Sequence, residues 1–228
     1  MSVKIFDVRN QPAYTIAEAA RYLKLPVATL RSWVAGRAYP RVEGKATFQP
    51  LIKPSQKRPP LLSFHNLIEA HVLRSLRMDH GVAIKELRKA IKYAEQSLQI
   101  DRLLLSQDLC THAGKVFLKK YGELIDLPAS GQLAMTKLFE EHLKRVEWDK
   151  WQFPVRLYPF VSGSDSPKMP IAIDPGIAFG RPIVCRAGIS TSVIAQRIDA
   201  GETVAELSGD YGLSEAEIEQ AVLYERAA

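Results

Sequence analysis

The chain has 228 residues, 46% hydrophobic and 25% charged, a balance that excludes a disordered protein and leaves room for one large domain or two to three small ones. Its net charge of +6 is uneven: residues 1–96 carry 17 Lys/Arg against 7 Asp/Glu, residues 97–165 carry 9 against 9, and residues 166–228 carry 5 against 9. A basic front third suits a phosphate backbone and an acidic last third does not. No apolar run reaches the ~18–20 residues needed to cross a bilayer, and no signal peptide is expected at the start. Cys110 and Cys185 have no CxxC partner. A reduced, cytoplasmic protein with no membrane partner is the expectation.

In chain order, Thr15 and Glu18 form the pattern of a capping box that opens a first short helix. Ile16, Ala19, Ala20 and Leu23 give that helix an apolar stripe, with small residues where a second helix can cross closely. Pro26 marks the start of the second helix. Leu30, Trp33 and Val34 face inward there, leaving Thr29, Arg31 and Ser32 outside. This is the layout of a helix-turn-helix that offers its second helix to the major groove. Lys24 stands in the turn, where Gly is common, at a cost of roughly 1 kcal/mol.

Arg37 to Pro60 is rich in Pro and in basic residues, Arg41, Lys45, Lys53, Lys57 and Arg58 among them. The spacing predicts strands over Phe48 to Lys53 and Leu61 to Leu62, a basic wing beside the helices. Ser63 caps the next helix, with Leu67, Ile68, Val72, Leu73 and Leu76 inside and Gly81 ending it. His71 reads as a core histidine. Ile84, Leu87, Ile91, Ala94 and Leu98 mark a further helix with Lys85, Arg88, Lys89 and Lys92 on its outer face.

In the middle third, Lys115–Lys119 and Glu123–Leu127 around Tyr121-Gly122 predict a hairpin. Leu133, Leu138, Phe139, Leu143 and Val146 predict an amphipathic helix, and 151–160 a strand whose Pro154 and Pro159 confine it to an edge or to strand ends. Ser162–Pro167 reads as a flexible joint. Two short extended pieces follow around Ile171–Gly176 and Gly180–Cys185. Thr191 or Ser192 then starts the first of three helices; Thr203/Glu206 and Ser214/Glu217 cap the other two. The expected fold class is mainly α with small β elements (α+β). Its parts are a winged helix-turn-helix over 1–100, a connecting hairpin and strand region over 101–165, and a three-helix unit over 166–228.

Chemistry-bearing motifs are missing from the sequence: no HExxH, zinc spacing, Walker loop, GxSxG or GxGxxG is present. No enzyme, cofactor or metal is expected. The candidate DNA contacts are Thr29, Arg31, Ser32 and Arg37 around the second helix, with Lys53, Lys57 and Arg58 supplying phosphate contacts from the wing. The last helix carries Glu215, Glu217 and Glu219 near its start, which suits a protein partner better than DNA.

Residues 14–98, through Thr29-Leu-Arg-Ser-Trp33 and Leu62-Ser-Phe64, resemble a MerR-type winged helix-turn-helix. Residues 171–226 resemble the small C-terminal domain of many bacterial antitoxins, through Asp174-Pro-Gly176, Phe179-Gly-Arg-Pro182, Ala200-Gly-Glu-Thr203 and Asp210-Tyr-Gly-Leu213. Cys185-Arg186-Ala187-Gly188 stands where that domain often has an Arg-Gly-Thr-Arg segment. Together the two halves resemble the larger VapB-type antitoxins. The resemblance implies a homodimer that binds double-stranded promoter DNA to repress its own operon and neutralises a PIN-like, VapC-type ribonuclease toxin. Arg181, Arg186, Tyr211, Tyr224 and Arg226 are the toxin-binding candidates, with an Arg, Arg181 or Arg226 first, inserted at the toxin's carboxylates. The alternative is a stand-alone MerR-like transcription regulator with a C-terminal ligand-sensing or dimerisation domain.

Overall fold

The computed structural model describes residues 7–40, 45–48, 50–76, 84–160 and 169–227. Arg41, His80, Gly81, the joint at 162–167 and Lys168 therefore lie outside the described residues, as do the side chains of Arg37 and Lys45. The fold is α+β, mainly helical with small antiparallel sheets.

Strand β1 (Tyr14–Thr15) leads directly into α1 (Ile16–Tyr22), whose Thr15/Glu18 capping box is formed in both directions. Such a cap stabilises a helix start by about 1 kcal/mol. Lys24 adopts a left-handed φ of 52° and turns the chain into α2 (Val27–Ala35). Leu30, Trp33 and Val34 are buried against α1, where Ala19 and Ala20 have no exposed surface and let the helices approach.

The wing differs from the sequence expectation. β2 (Arg37–Pro40) pairs with β3 (Lys45–Phe48) immediately after α2. A second hairpin, β4 (Gln56–Lys57) with β5 (Pro60–Leu62), joins β1 in a sheet of order β1-β5-β4. Residues 50–53 are not a strand: the Leu51 and Ile52 amides both donate to the Trp33 carbonyl, at 2.7 and 3.0 Å, while Ile52 plugs the core. A loop that sends two successive N–H groups to one helix-end carbonyl cannot also sustain a ladder.

α3 (Phe64–Ser75) starts at the Ser63 cap and is the most enclosed helix, buried at eleven of its positions. α4 (Ile84–Leu98) packs Leu87, Ala90 and Ala94 inward. The predicted hairpin at 115–127 is instead α5 (His112–Leu124). Ala113, Phe117, Leu118 and Tyr121 fall on one buried helical face, and Gly122 lies inside the helix, where an added Cβ would meet the Gln132 side chain at 3.1 Å. A short apolar run flanking Tyr-Gly fits either period, and packing decided for the helix. α6 (Ala129–Leu143) buries Met135, Phe139 and Leu143, but Leu133 and Leu138 are exposed and Val146 belongs to the next strand.

β6 (Val146–Trp148), β7 (Pro154–Leu157), β8 (Ile171–Ile173), β9 (Pro182–Val184) and β10 (Ile189–Ser190) form an antiparallel sheet in sequential order. β7 is an interior strand, and Pro154 is tolerated because it is the strand's first residue. α7 (Thr191–Asp199), α8 (Val204–Tyr211) and α9 (Glu215–Arg226) complete the chain, the last two opened by their full capping boxes. One core runs continuously from Tyr14 to Ile173; a smaller one joins Ile171 and Val184 to α7, α8 and α9. The sheet thus bridges the middle and C-terminal segments, and the helix-turn-helix shares its core with the middle third.

Three histidines are enclosed in the first core. His71 is fully buried, with Nε2 at 2.9 Å from the His142 carbonyl, and His142 packs on Phe160. Burial pushes His71 down to about 3, and burial together with the nearby Arg74 and Arg145 charges pushes His142 down to about 4. His65, whose Nδ1 meets Asn10 at 2.7 Å, is also lowered to about 4 by burial. All three are neutral in the folded state at pH ~6.5, where the unfolded chain starts to protonate them. Stability is therefore full above pH ~6.5 and falls as the pH drops toward 4, because the unfolded state binds more protons. Urea midpoints are expected to fall between pH ~7 and ~4.5, and His142→Gln flattens that dependence.

The C-terminal unit is fastened along β1 and α1. The Tyr14 hydroxyl donates to the Gly180 carbonyl at 3.0 Å, and Gly180 has a left-handed φ of 73°. An alanine Cβ there would lie 2.1 Å from the Tyr14 oxygen. Gly180→Ala should cost roughly 1–3 kcal/mol by denaturant titration, from strain and overpacking. Adding Tyr14→Phe to it should cost less than the sum of the two single changes, since the hydroxyl is the atom in the way.

Candidate nucleic-acid interface

The outer face of α2 exposes Arg31 to solvent, with Thr29 half-buried beside it. The Ser32 hydroxyl is turned back to the Thr29 carbonyl at 2.7 Å, so its donor is already used within the helix. Trp33 is buried, which settles it as packing rather than contact. Gly36, with φ 74°, ends α2 and sends Arg37 into β2 opposite Phe48.

The wing-side cations are placed by the tether on Trp33. That pair of hydrogen bonds holds residues 50–54 beside the C-terminal end of α2, and the Lys53 carbonyl is fixed further by Asn66 at 3.0 Å. Lys53 is exposed, and Lys57 with Arg58 lies at the tip of the β4–β5 hairpin. A cleft of about 490 Å³ lined by Val34, Ala35, Lys53 and Lys57 joins these two lysines to the end of α2. Lys53 also borders a second cleft of about 670 Å³ with Arg88, Lys92 and Arg102. Arg88 and Lys92 of α4 thereby share a cleft with Lys53, in a lining that also holds Glu69 and Glu95. In the sequence those α4 charges read first as a solvated face, with proximity to DNA as the second reading, because periodicity does not say which element lies opposite.

Arg102 pairs with Glu69 at 2.9 Å across that second cleft, where burial raises the Glu69 carboxyl above its ordinary range. Among the described residues no group of three or more His, Cys, Asp or Glu is arranged to hold a metal ion. No helix among them is long and apolar enough to cross a membrane.

The C-terminal candidates are separated by the fold. Tyr224 is buried, not a surface contact: its hydroxyl donates to the Tyr22 carbonyl at 2.8 Å, and Lys24 sits over its ring at 4.1 Å. Arg186 pairs with Glu217 at 3.1 Å and also donates to the Gly212 carbonyl. That guanidinium pulls the Glu217 carboxyl down to about 2. Tyr211 lies half-buried under Arg197, which is itself paired with Glu202 and Asp210. Arg226 pairs with Asp199 at 2.8 Å. Arg181 is exposed and makes no ion pair among the described residues.

Residues 12–91 match a family described as "Putative DNA-binding HTH domain", and residues 171–224 match "Protein of unknown function (DUF433)". The N-terminal unit is a helix-turn-helix domain. Over 95% of its length the chain is 28% identical to a Mycobacterium tuberculosis protein named "Putative antitoxin VapB45", covering 94% of that protein. It is 26% identical to "Uncharacterized protein Rv2308" from the same organism, across 97% of this chain and 93% of that one. The crystal structure of Rv2018 from M. tuberculosis shares the fold, with a TM-score of 0.68 at 23% identity over 95% of this chain and 99% of the other.

If α2 enters a major groove, the two sets of cations act differently on DNA. Replacing Lys53, Lys57 and Arg58 together by Ala should lower the slope of log affinity against log salt by about 2.7, at ~0.9 for each phosphate that is no longer neutralised. Arg31→Ala should instead cost about 1–3 kcal/mol on the promoter of the chain's own gene and far less on unrelated duplex. Fluorescence anisotropy across a salt series measures both.

Proposed function

We propose that this chain is the antitoxin of a type II toxin–antitoxin pair. Its C-terminal unit captures a PIN-like, VapC-type ribonuclease toxin, and its N-terminal winged helix-turn-helix, of MerR type, binds promoter DNA as a homodimer and represses its own operon. It acts in the cytoplasm as a binding protein and not as an enzyme. The observation that carries the reading is the end-to-end similarity to the protein named "Putative antitoxin VapB45", in a chain whose front third is a basic helix-turn-helix. The charge layout supports the division of labour: the cleft holding Lys53 and Lys57 borders the end of α2, and the acidic unit packs elsewhere on α1.

A second reading is a stand-alone MerR-like regulator that senses a small ligand. The cleft of about 670 Å³ favours it, being within the size range of ligand sites and combining Ile91 and Leu104 with Lys92 and Arg102. That cleft adjoins the wing and not the C-terminal unit, so a regulator of this kind would sense its ligand beside the DNA-binding surface.

Co-expression with the product of the adjacent gene separates the two. The antitoxin reading expects the neighbour alone to arrest growth, and this chain to restore it within a complex that co-purifies. A harmless neighbour that does not co-purify leaves the regulator.

A further inference from the structure

The Phe179-Gly-Arg-Pro182 segment is the part of the C-terminal unit that the fold holds rigidly and uses least. The Gly176 amide donates to the Asp174 carboxylate at 2.9 Å, and that carboxylate is clamped by Arg156 at 2.9 Å. Three successive turn bonds follow: Ile177 N–H to Asp174 O, Gly180 N–H to Ile177 O, and Arg181 N–H to Ala178 O, at 3.1, 2.9 and 3.1 Å. Gly180 is then pinned by Tyr14, and Pro182 begins β9.

Within this frame Ala178 and Phe179 both take left-handed backbone, with φ of 48° and 55°. Two adjacent non-glycine residues in that region are costly, and strain of this kind persists only where surrounding structure enforces it. It returns no packing here: Phe179 is 93% exposed, the most exposed large apolar side chain among the described residues, with Ile177 beside it also exposed. Two residues on is Arg181. Among the four arginines described in the C-terminal unit, Arg186, Arg197 and Arg226 are ion-paired and Arg181 is not.

We propose that Phe179 and Arg181 form the anchor by which the C-terminal unit seizes its partner protein. Phe179 enters an apolar socket and Arg181 meets carboxylates at its rim. This rests on the antitoxin reading and selects, from its arginines, the one with a free charge. A rigid aromatic with an unpaired Arg is the composition of an interface hot spot, and holding both before contact lowers the ordering cost of binding. Phosphate is the poorer occupant. Residues 166–228 carry 5 basic against 9 acidic side chains, a balance that disfavours a phosphate backbone.

The test uses the full chain and the purified product of the adjacent gene, with affinity by calorimetry and promoter binding in parallel. Phe179→Ala removes a solvated ring and should leave the thermal midpoint unchanged while weakening the complex at least ~30-fold, the size of a hot-spot loss. Arg181→Glu should weaken it further and Arg181→Lys restore only part, because Lys lacks the planar fork. Promoter affinity should stay within about threefold for all three variants, a difference of under ~0.7 kcal/mol. Variants that bind the neighbour like wild type overturn the anchor. Loss of promoter binding with the neighbour's affinity intact overturns it too and places the loop on DNA. A wild-type chain that does not bind the neighbour fails the antitoxin reading itself and takes the anchor with it, an outcome visible before any variant is made.

Discussion

The molecule depends on the contact between the turn of the helix-turn-helix and the end of the last helix. Lys24 bears a left-handed backbone cost to turn α1 into α2, and its ammonium reaches the Tyr224 carbonyl. That carbonyl lies in the final turn of α9, where the backbone has no intrahelical donor and the helix end carries partial negative charge. A lysine supplies both the donor and the charge. Burial and the neighbouring Arg21 and Arg74 charges bring it down to about 8, with Glu225 working the other way. Tyr224 returns a hydrogen bond to the Tyr22 carbonyl, and Arg21 pairs with Glu225 at 2.9 Å. Glycine at position 24 would relax the turn and forfeit the clasp.

Because the clasp grips α1 and its turn, α2 keeps its outer face clear. On the far side, two hydrogen bonds to the Trp33 carbonyl hold residues 50–54 in place and set Lys53 between α2 and α4. One helix end organises the basic surface, and another fastens the acidic unit. The opposed charges of the two ends of the chain are thus held apart by backbone carbonyls left over at helix termini, groups that any helix must satisfy somewhere.

Much of the local structure was legible in the sequence. Thr15, Ser63, Thr203 and Ser214 each begin a helix as their capping patterns indicate. The inward faces of α2, α3 and α4 follow their apolar spacing, and the α+β class follows from both. The hairpin expected at 115–127 failed because the short stretches around Tyr121-Gly122 satisfy either period, and only the face offered by α4 and α6 made the helix the better burial. The candidate residues divide the same way. Arg31 and Lys57 are exposed as their positions on the elements suggest, whereas Tyr224, a toxin-binding candidate from the resemblance, is an internal clamp.

The sequence by itself determined where helices start, which of their faces are apolar, and that the two ends of the chain differ in charge. These are matters of nearest neighbours and of composition, and a few residues suffice to decide them. Only the tertiary structure decided that Lys24 belongs to α9, that Lys92 stands beside Lys53, that three arginines are neutralised while Arg181 is not, and that Phe179 is held out in solvent. Each of those facts depends on groups brought together from distant parts of the chain. No periodicity encodes such a meeting; it exists once the helices have packed.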